Sequence, residues 1–191
     1  MNMNTKHTDG MVRQRGIALI SALLLLLVVT IMALAMFRSY GVQEMISGNV
    51  REKQRALQAA ETAQAFAEFW LSQPANIAAG NTVCNALVHA NLNQGQICSN
   101  VLATPATVPW IIGGTEVAVD YNPSNDINLS ATGGVNTYAQ IPRFYISDVG
   151  LGADAQGEVY QVDAVGYGGT FNAVAEVEST FEVKTNVTSR E

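Results

Sequence analysis

Residues 15–37 read RGIALISALLLLLVVTIMALAMF, and no charge interrupts the 21 positions from Ile17 to Phe37. Thirteen of those positions are Leu, Ile, Val or Phe. About 20 apolar residues at a rise of about 1.5 Å span a hydrocarbon core of about 30 Å. Each large apolar residue contributes roughly −0.3 to −0.6 kcal/mol at the helix centre, so insertion is favoured by several kcal/mol. Ser21 and Thr30 are the polar exceptions, and both can hydrogen-bond to their own helix. Lys6, Arg13 and Arg15 precede the run against Asp9. The positive-inside rule then puts the N-terminus in the cytoplasm and everything after Arg38 outside it. Ala33-Leu34-Ala35 looks like a signal-peptidase site, so a removable secretory signal is the rival reading, although the run is longer than most such apolar regions.

The sequence beyond the run bears on that choice. Apolar or small residues recur at Val42, Met45, Ile46, Val50, Ala56, Leu57, Ala60, Ala63, Ala67, Trp70 and Leu71, with interruptions at Asn49 and Lys53. A spacing of three or four residues is a helical stripe. Glu52, Arg55, Gln58, Glu61, Gln64 and Glu68 fill much of the opposite side. No proline occurs from Ile17 to Gln73, and Pro74 ends the pattern. An unbroken helix from Ile17 to about Ser72 would be roughly 80 Å long. Gly41 and Gly48 each weaken it by about 1 kcal/mol relative to alanine and mark where it could bend. A cleaved signal has no reason to run on into such a helix. Phe66 and Trp70 are expected to pack against the domain that follows.

That domain occupies residues 74–191. From Ala75 onward it carries three basic residues, Arg143, Lys184 and Arg190, against eleven acidic ones. Binding of a nucleic-acid backbone needs a basic surface, so a direct nucleic-acid role for the head is disfavoured. Cys84 and Cys98 both lie in this exported part, where two close cysteines are expected to form a disulfide. Closing a loop of about 15 residues contributes about 3 kcal/mol on a chain-entropy account. Two thiols with only His89 between them make a poor metal site.

Past Thr104 the periodicity is that of strands. Val117, Val119 and Tyr121 alternate with Glu116, Ala118 and Asp120. Phe144 and Ile146, then Tyr160, Val162 and Ala164, recur at every second position. Ala173, Ala175, Val177, Ser179, Phe181 and Val183 face one way, while Val174, Glu176, Glu178, Thr180, Glu182 and Lys184 face the other. One face should meet a core and one water, as in an antiparallel sheet over residues 110–185. Gly150-Leu151-Gly152 and Gly166-Tyr167-Gly168-Gly169 are expected to supply the turns. The natural cover for the core is the helix around Ala56 to Leu71. Residues 75–109, with weaker periodicity, form a variable loop or short helix. The fold class is α+β: a long N-terminal helix packed on an antiparallel sheet.

Motifs for catalysis are missing from the sequence. It holds no G-x-S-x-G, H-E-x-x-H, C-x-x-C or P-loop, and the Gly150/Gly152 pair lacks the setting of a nucleotide loop. Asp120, Asn122, Ser124, Asp126 and Asn128 alternate as calcium-loop ligands do. However, Asn125 stands where the turn glycine would be, and Ala131 where the closing glutamate would be. A solvated turn around Pro123 explains the run. Asp148, Asp154 and Glu158 form a still weaker group. The sequence therefore reads as a non-enzyme, with no metal and no cofactor.

The segment from Arg38 to Glu61, RSYGVQEMISGNVREKQRALQAAE, resembles the N-terminal region of PilX-type minor pilins of type IV pili. The shared elements are a basic residue after the span, Gln43-Glu44, Gly48-Asn49, the charged Arg51-Glu52-Lys53, and Ala56-Leu57-Gln58-Ala59-Ala60-Glu61. The Arg15-Gly16-Ile17 junction looks like the class III signal of the wider pilin superfamily. The resemblance implies a leader over residues 1–16 that a prepilin peptidase cuts between Gly16 and Ile17, with methylation of the new Ile17 amine. It implies a transmembrane segment at 17–37, an amphipathic continuation at 38–73 and an exported globular head at 74–191. Ser21, Leu25, Val29, Arg38 and Glu44 are its anchoring and helix-packing positions.

Most pilins carry glutamate at the fifth residue after the cut, where this chain has Ser21. Such a carboxylate costs about 2.5–3.5 kcal/mol to insert, and its pairing with the amine of the subunit ahead reaches about 4 kcal/mol. Ser21 offers no such partner, which favours a tip or initiating position over a repeating one; the alternative is that this branch simply tolerates small or apolar residues there. The implied partners are other minor pilins, the major pilin, the inner-membrane assembly machinery and the peptidase. The implied location is the inner membrane, then the extracellular pilus, with a role in twitching motility. A minor pseudopilin of a type II secretion system shares the same N-terminal logic. A signal-cleaved or membrane-tethered periplasmic protein is the third reading.

Overall fold

The computed structural model describes residues 15–88, 95–122, 127, 129–130, 137–153 and 155–184. The chain is α+β, a long N-terminal helix followed by a sheet-rich head. Helix α1 (Arg15–Leu71) opens it, and the short α2 (Pro74–Ala78) begins at the proline that ends the helical pattern. The chain divides into two compact units, residues 1–47 and 48–191.

In the first unit α1 carries its apolar side chains exposed along its length, from Ile17 to Ile46. Its sequence makes it long and apolar enough to cross a membrane; the most apolar window of 18 residues has mean hydropathy 3.0 and none of it is buried. The two polar groups inside the run are satisfied within the helix. The Ser21 hydroxyl donates to the Ala18 carbonyl at 3.0 Å, and the Thr30 hydroxyl to the Leu27 carbonyl at 2.8 Å.

The second unit is built on three long antiparallel strands, β7 (Arg143–Leu151), β8 (Gly157–Tyr167) and β9 (Val174–Lys184). Short strands extend the sheet beyond β7. β6 (Ala118–Asp120) pairs antiparallel with its first residues, and β3 (Ile97–Cys98) pairs parallel with Ile146 and Ser147. β1 (Asn81–Thr82) adds parallel to β3, and β2 (Leu87–Val88) adds parallel to β6. The sheet is therefore mixed, and it begins at residue 81 rather than 110. The 75–109 stretch, read as a loop or short helix, contributes three strands too short to show a period of two. A small hairpin, β4 (Ile111–Ile112) and β5 (Thr115–Glu116), turns on Gly113 and Gly114, both in the left-handed region that glycine adopts freely.

Alternation along the strands sends side chains to two cores. Phe144, Ile146, Tyr160, Val162 and Ala164 meet Ala63, Ala67, Trp70 and Leu71 of α1. Phe66 sits 5.0 Å from the Tyr121 ring and 5.7 Å from the Phe144 ring. The helix over Ala56 to Leu71 thus covers the sheet, as its stripe predicts. The other face was expected to meet water. Instead Tyr145, Val165 and Tyr167 are buried there beneath Cys84, Cys98, Leu102, Trp110 and Val117. The segment before β6 folds back across this face around Tyr145, Val165 and Tyr167, while the far ends of β7, β8 and β9 keep a wet side.

Of the glycines near the end of β8, Gly168 and Gly169 open the expected turn to β9, whereas Gly166 does different work. Gly166 lies inside the strand, and a Cβ there would come within 2.3 Å of the Ala56 carbonyl oxygen and 2.4 Å of the Ala60 nitrogen. Gly168 and Gly169 meet Glu52 in the same way. Small residues on both sides let the helix backbone rest almost directly on the sheet. Gly150 also lies inside a strand, at the bulge beside Asp148 with φ of 101°, and the turn between β7 and β8 begins at Gly152.

Candidate assembly surface and processing junction

The first candidate feature is the start of α1. Gly16 lies in its first turn with nothing within 4 Å of where a Cβ would stand, and Ile17 is 71% exposed. Ser21, Leu25 and Val29 follow at intervals of four, which aligns them on one helix face. Leu25 and Val29 are exposed, and so are Arg38 and Glu44 farther along. Ser21, Leu25 and Val29 lie on an exposed apolar stretch of helix rather than in a pocket, while Arg38 stands on the opposite side of the helix from Val29. The chemistry of its uncharged run, Ile17 to Phe37, is that of lipid contact and of helix packing.

The second feature lies in the head, where the first turns of α1 in the second unit are fastened to the sheet. Glu52 accepts from the Gly169 N–H and from Arg55 Nη1 at 2.9 Å. The Gly169 N–H and then the Arg55 guanidinium hold its carboxyl below the usual range. Arg55 Nη2 donates to the Thr137 carbonyl at 2.6 Å, and the guanidinium lies 4.9 Å over the Tyr138 ring. Lys53 Nζ donates to the Val174 carbonyl. Farther along, Glu68 accepts from the Ser179 hydroxyl at 2.6 Å. From the sequence, Glu52, Arg55 and Glu68 stand only among the polar residues beside the apolar stripe. The signal that could have found them is the glycine cluster at 166–169, which admits a helix and its polar side chains.

Cys84 and Cys98 are joined by a disulfide, with Cα atoms 5.3 Å apart. The bond ties the segment after β1 to β3. Asn100 reinforces it by accepting from the Cys84 N–H and donating to the Cys84 carbonyl, each at 2.8 Å.

The oxygen-rich run does not gather into a ligand set as far as it is described. Asp120 instead accepts from Arg143 Nε at 2.7 Å, and Arg143 also pairs with Glu116. Ser124, Asp126, Asn128 and Ala131 lie outside the described residues, as do His89, Asp154, and His7 with the rest of the leader up to Gln14. Asp148 accepts from the Gly150 N–H at 2.9 Å and holds the bulge, while Glu158 accepts from the Tyr160 hydroxyl at 2.7 Å. Among the described residues no three His, Cys, Asp or Glu side chains are placed to hold a metal ion.

One acidic group was missed. Asp163 is fully buried on the face of β8 away from α1, directly across from Glu178. An aspartate inside the apolar run Val162–Val165 was the signal for it.

Residues 15–64 match the PilX N-terminal family. The match runs from the first turn of α1 to Gln64, and the sheet lies outside it. PilX N-terminal regions belong to type IV pilus minor pilins, so the matched segment is similar to the N-terminal part of a type IV pilus-related pilin. That family implies a membrane-anchoring helix and partners among pilus components. No curated protein and no solved structure matches the chain.

Proposed function

We propose that this chain is a minor pilin that takes part in starting type IV pilus assembly and stands at or near the pilus tip, a structural role without catalysis. A prepilin peptidase cuts between Gly16 and Ile17, and the Ile17 amine is then methylated. The anchored chain sits in the inner membrane with its N-terminus cytoplasmic and its head periplasmic, and it leaves the membrane when the filament grows. Its partners are other minor pilins, the major pilin and the assembly machinery.

The observation that carries the tip assignment is Ser21. Its hydroxyl is already bonded to the Ala18 carbonyl of the same helix, so it brings no charge with which to neutralise the amine of a subunit ahead. The apolar surface around it supplies lateral packing, which lowers the barrier to the first filament turn.

Restoring the carboxylate tests this. In a tip subunit, Ser21→Glu leaves an unpaired acid in apolar surroundings, costing about 2.5–3.5 kcal/mol, and surface pili and incorporated copies should fall. Unchanged or increased copies distributed along the shaft would overturn the tip reading. Deleting the chain should remove surface pili while the major subunit still accumulates. Normal piliation in that strain, with a protein-secretion defect instead, would favour the secretion-system pseudopilin.

A further inference from the structure

β9 is the outermost strand on its side of the main sheet. It pairs with β8 in unbroken register from Gly157 opposite Lys184 to Tyr167 opposite Val174, and among the described residues no strand lies on its other side. The Gly168 N–H donates to the Ala173 carbonyl. The alternation of an antiparallel ladder therefore turns the peptide groups of Ala175, Val177, Ser179, Phe181 and Val183 toward β8, and those of Glu176, Glu178, Thr180 and Glu182 outward. The bond from Lys53 Nζ to the outward carbonyl of Val174 fits this phase. A straight edge of 11 residues without proline or bulge is a template for another strand.

The two sides of that edge differ. On the side away from the helix stand Glu176, Glu178 and Glu182, with Asp163 behind them. Burial, and then the Asp163 and Glu178 carboxylates, push Glu176 up to about 7. On the helix side a groove of about 380 Å³ is lined by Val50, Lys53, Gln54, Leu57, Ala175 and Glu176. Val50 is 50% exposed and Leu57 39%.

We propose that the β9 edge docks an extended segment of another protein, one in which basic residues alternate with apolar ones. Charge selects this occupant. A second copy adding its own β9 would crowd glutamates against glutamates on one sheet face, and like charges across strands are destabilising. Lys or Arg at alternate positions would pair with Glu176, Glu178 and Glu182 instead. The intervening side chains of the same segment would turn to the helix side, where the groove takes apolar groups. This proposal stands apart from the pilus reading, because it uses only β8, β9 and the α1 turns from Val50 to Leu57.

The test uses the full chain in detergent micelles and two synthetic ten-residue peptides, one alternating Val and Lys and one alternating Val and Glu. The Val–Lys peptide should bind at least about tenfold more tightly. It should also slow hydrogen exchange at the amides of 176, 178, 180 and 182. Thr180→Pro removes an outward N–H while leaving the β8 ladder intact, and should abolish binding. Glu178→Lys combined with Glu182→Lys should reverse the preference between the peptides, and this variant decides the matter if Thr180→Pro fails to fold. Binding that survives Thr180→Pro, or that leaves those amides unprotected, is adsorption to an acidic surface and overturns the proposal. Failure of both peptides to bind overturns it too, as does an unreversed preference in the charge-swapped chain.

Discussion

Asp163 shows how one side chain sets a pH response. It is fully buried, and Gln161 Nε2 donates to its two oxygens at 3.0 and 3.3 Å. Burial pushes its carboxyl up to about 6 from the ordinary 3.8; the Gln161 bond opposes that rise and the Glu178 charge adds to it. The folded chain therefore holds this proton more tightly than the unfolded chain does. The stabilisation from protonated Asp163 is complete below the unfolded value and is lost as pH rises through the folded one. Over that window the loss is on the order of 2–3 kcal/mol. Asp163→Asn cannot ionise and still accepts from Gln161. It should raise stability at pH 7 by about 2 kcal/mol and flatten the dependence between pH 4 and 6. Denaturant midpoints of the full chain at both ends of that range check this; a slope equal to that of the parent would remove Asp163 as its source.

At the scale of elements, the contact between α1 and β8 depends on missing side chains. Ala56, Ala60, Ala63 and Ala67 are fully buried along the helix, and Gly166 opposes the first two. The atoms a new Cβ would strike belong to the helix backbone and cannot rotate away. Gly166→Ala must therefore push helix and strand apart, and overpacking of this kind costs about 1–3 kcal/mol. Gly48 makes the opposite prediction. It is helical and nothing lies within 4 Å of its would-be Cβ, so Gly48→Ala should stabilise by up to about 1 kcal/mol. Urea unfolding of the two variants beside the parent should give midpoint shifts of opposite sign. Equal shifts would show that the close approach does not limit the packing.

For the molecule as a whole, the proposed processing at the start of α1 makes the decisive prediction. A mature chain beginning at Ile17 keeps the whole apolar run, whereas one beginning at Met36 loses it. Gly16→Arg should block the cut, because a large charged side chain cannot enter a site shaped for glycine, and the unprocessed chain should accumulate. Mass spectrometry of the exported protein reads this directly. A mature end at Met36, or normal maturation of Gly16→Arg, would return the run to the status of an ordinary secretory signal.

The anchor, the helix that follows it and the three long strands were legible in the sequence because each signal is local. Hydropathy over 21 positions, a stripe of period three to four, and alternation along β7, β8 and β9 are all set by neighbours in the chain. The disulfide could be anticipated from the spacing and compartment of Cys84 and Cys98. Only the tertiary structure decided how the second face of the sheet is covered. Strands of two residues, such as β1, β2 and β3, are too short to carry a period, and their pairing with β6 and β7 joins residues far apart in sequence. Nor could the sequence separate Gly166 from a turn glycine. Its role comes from a helix backbone more than a hundred residues earlier, and that proximity exists only once α1 has settled on the sheet.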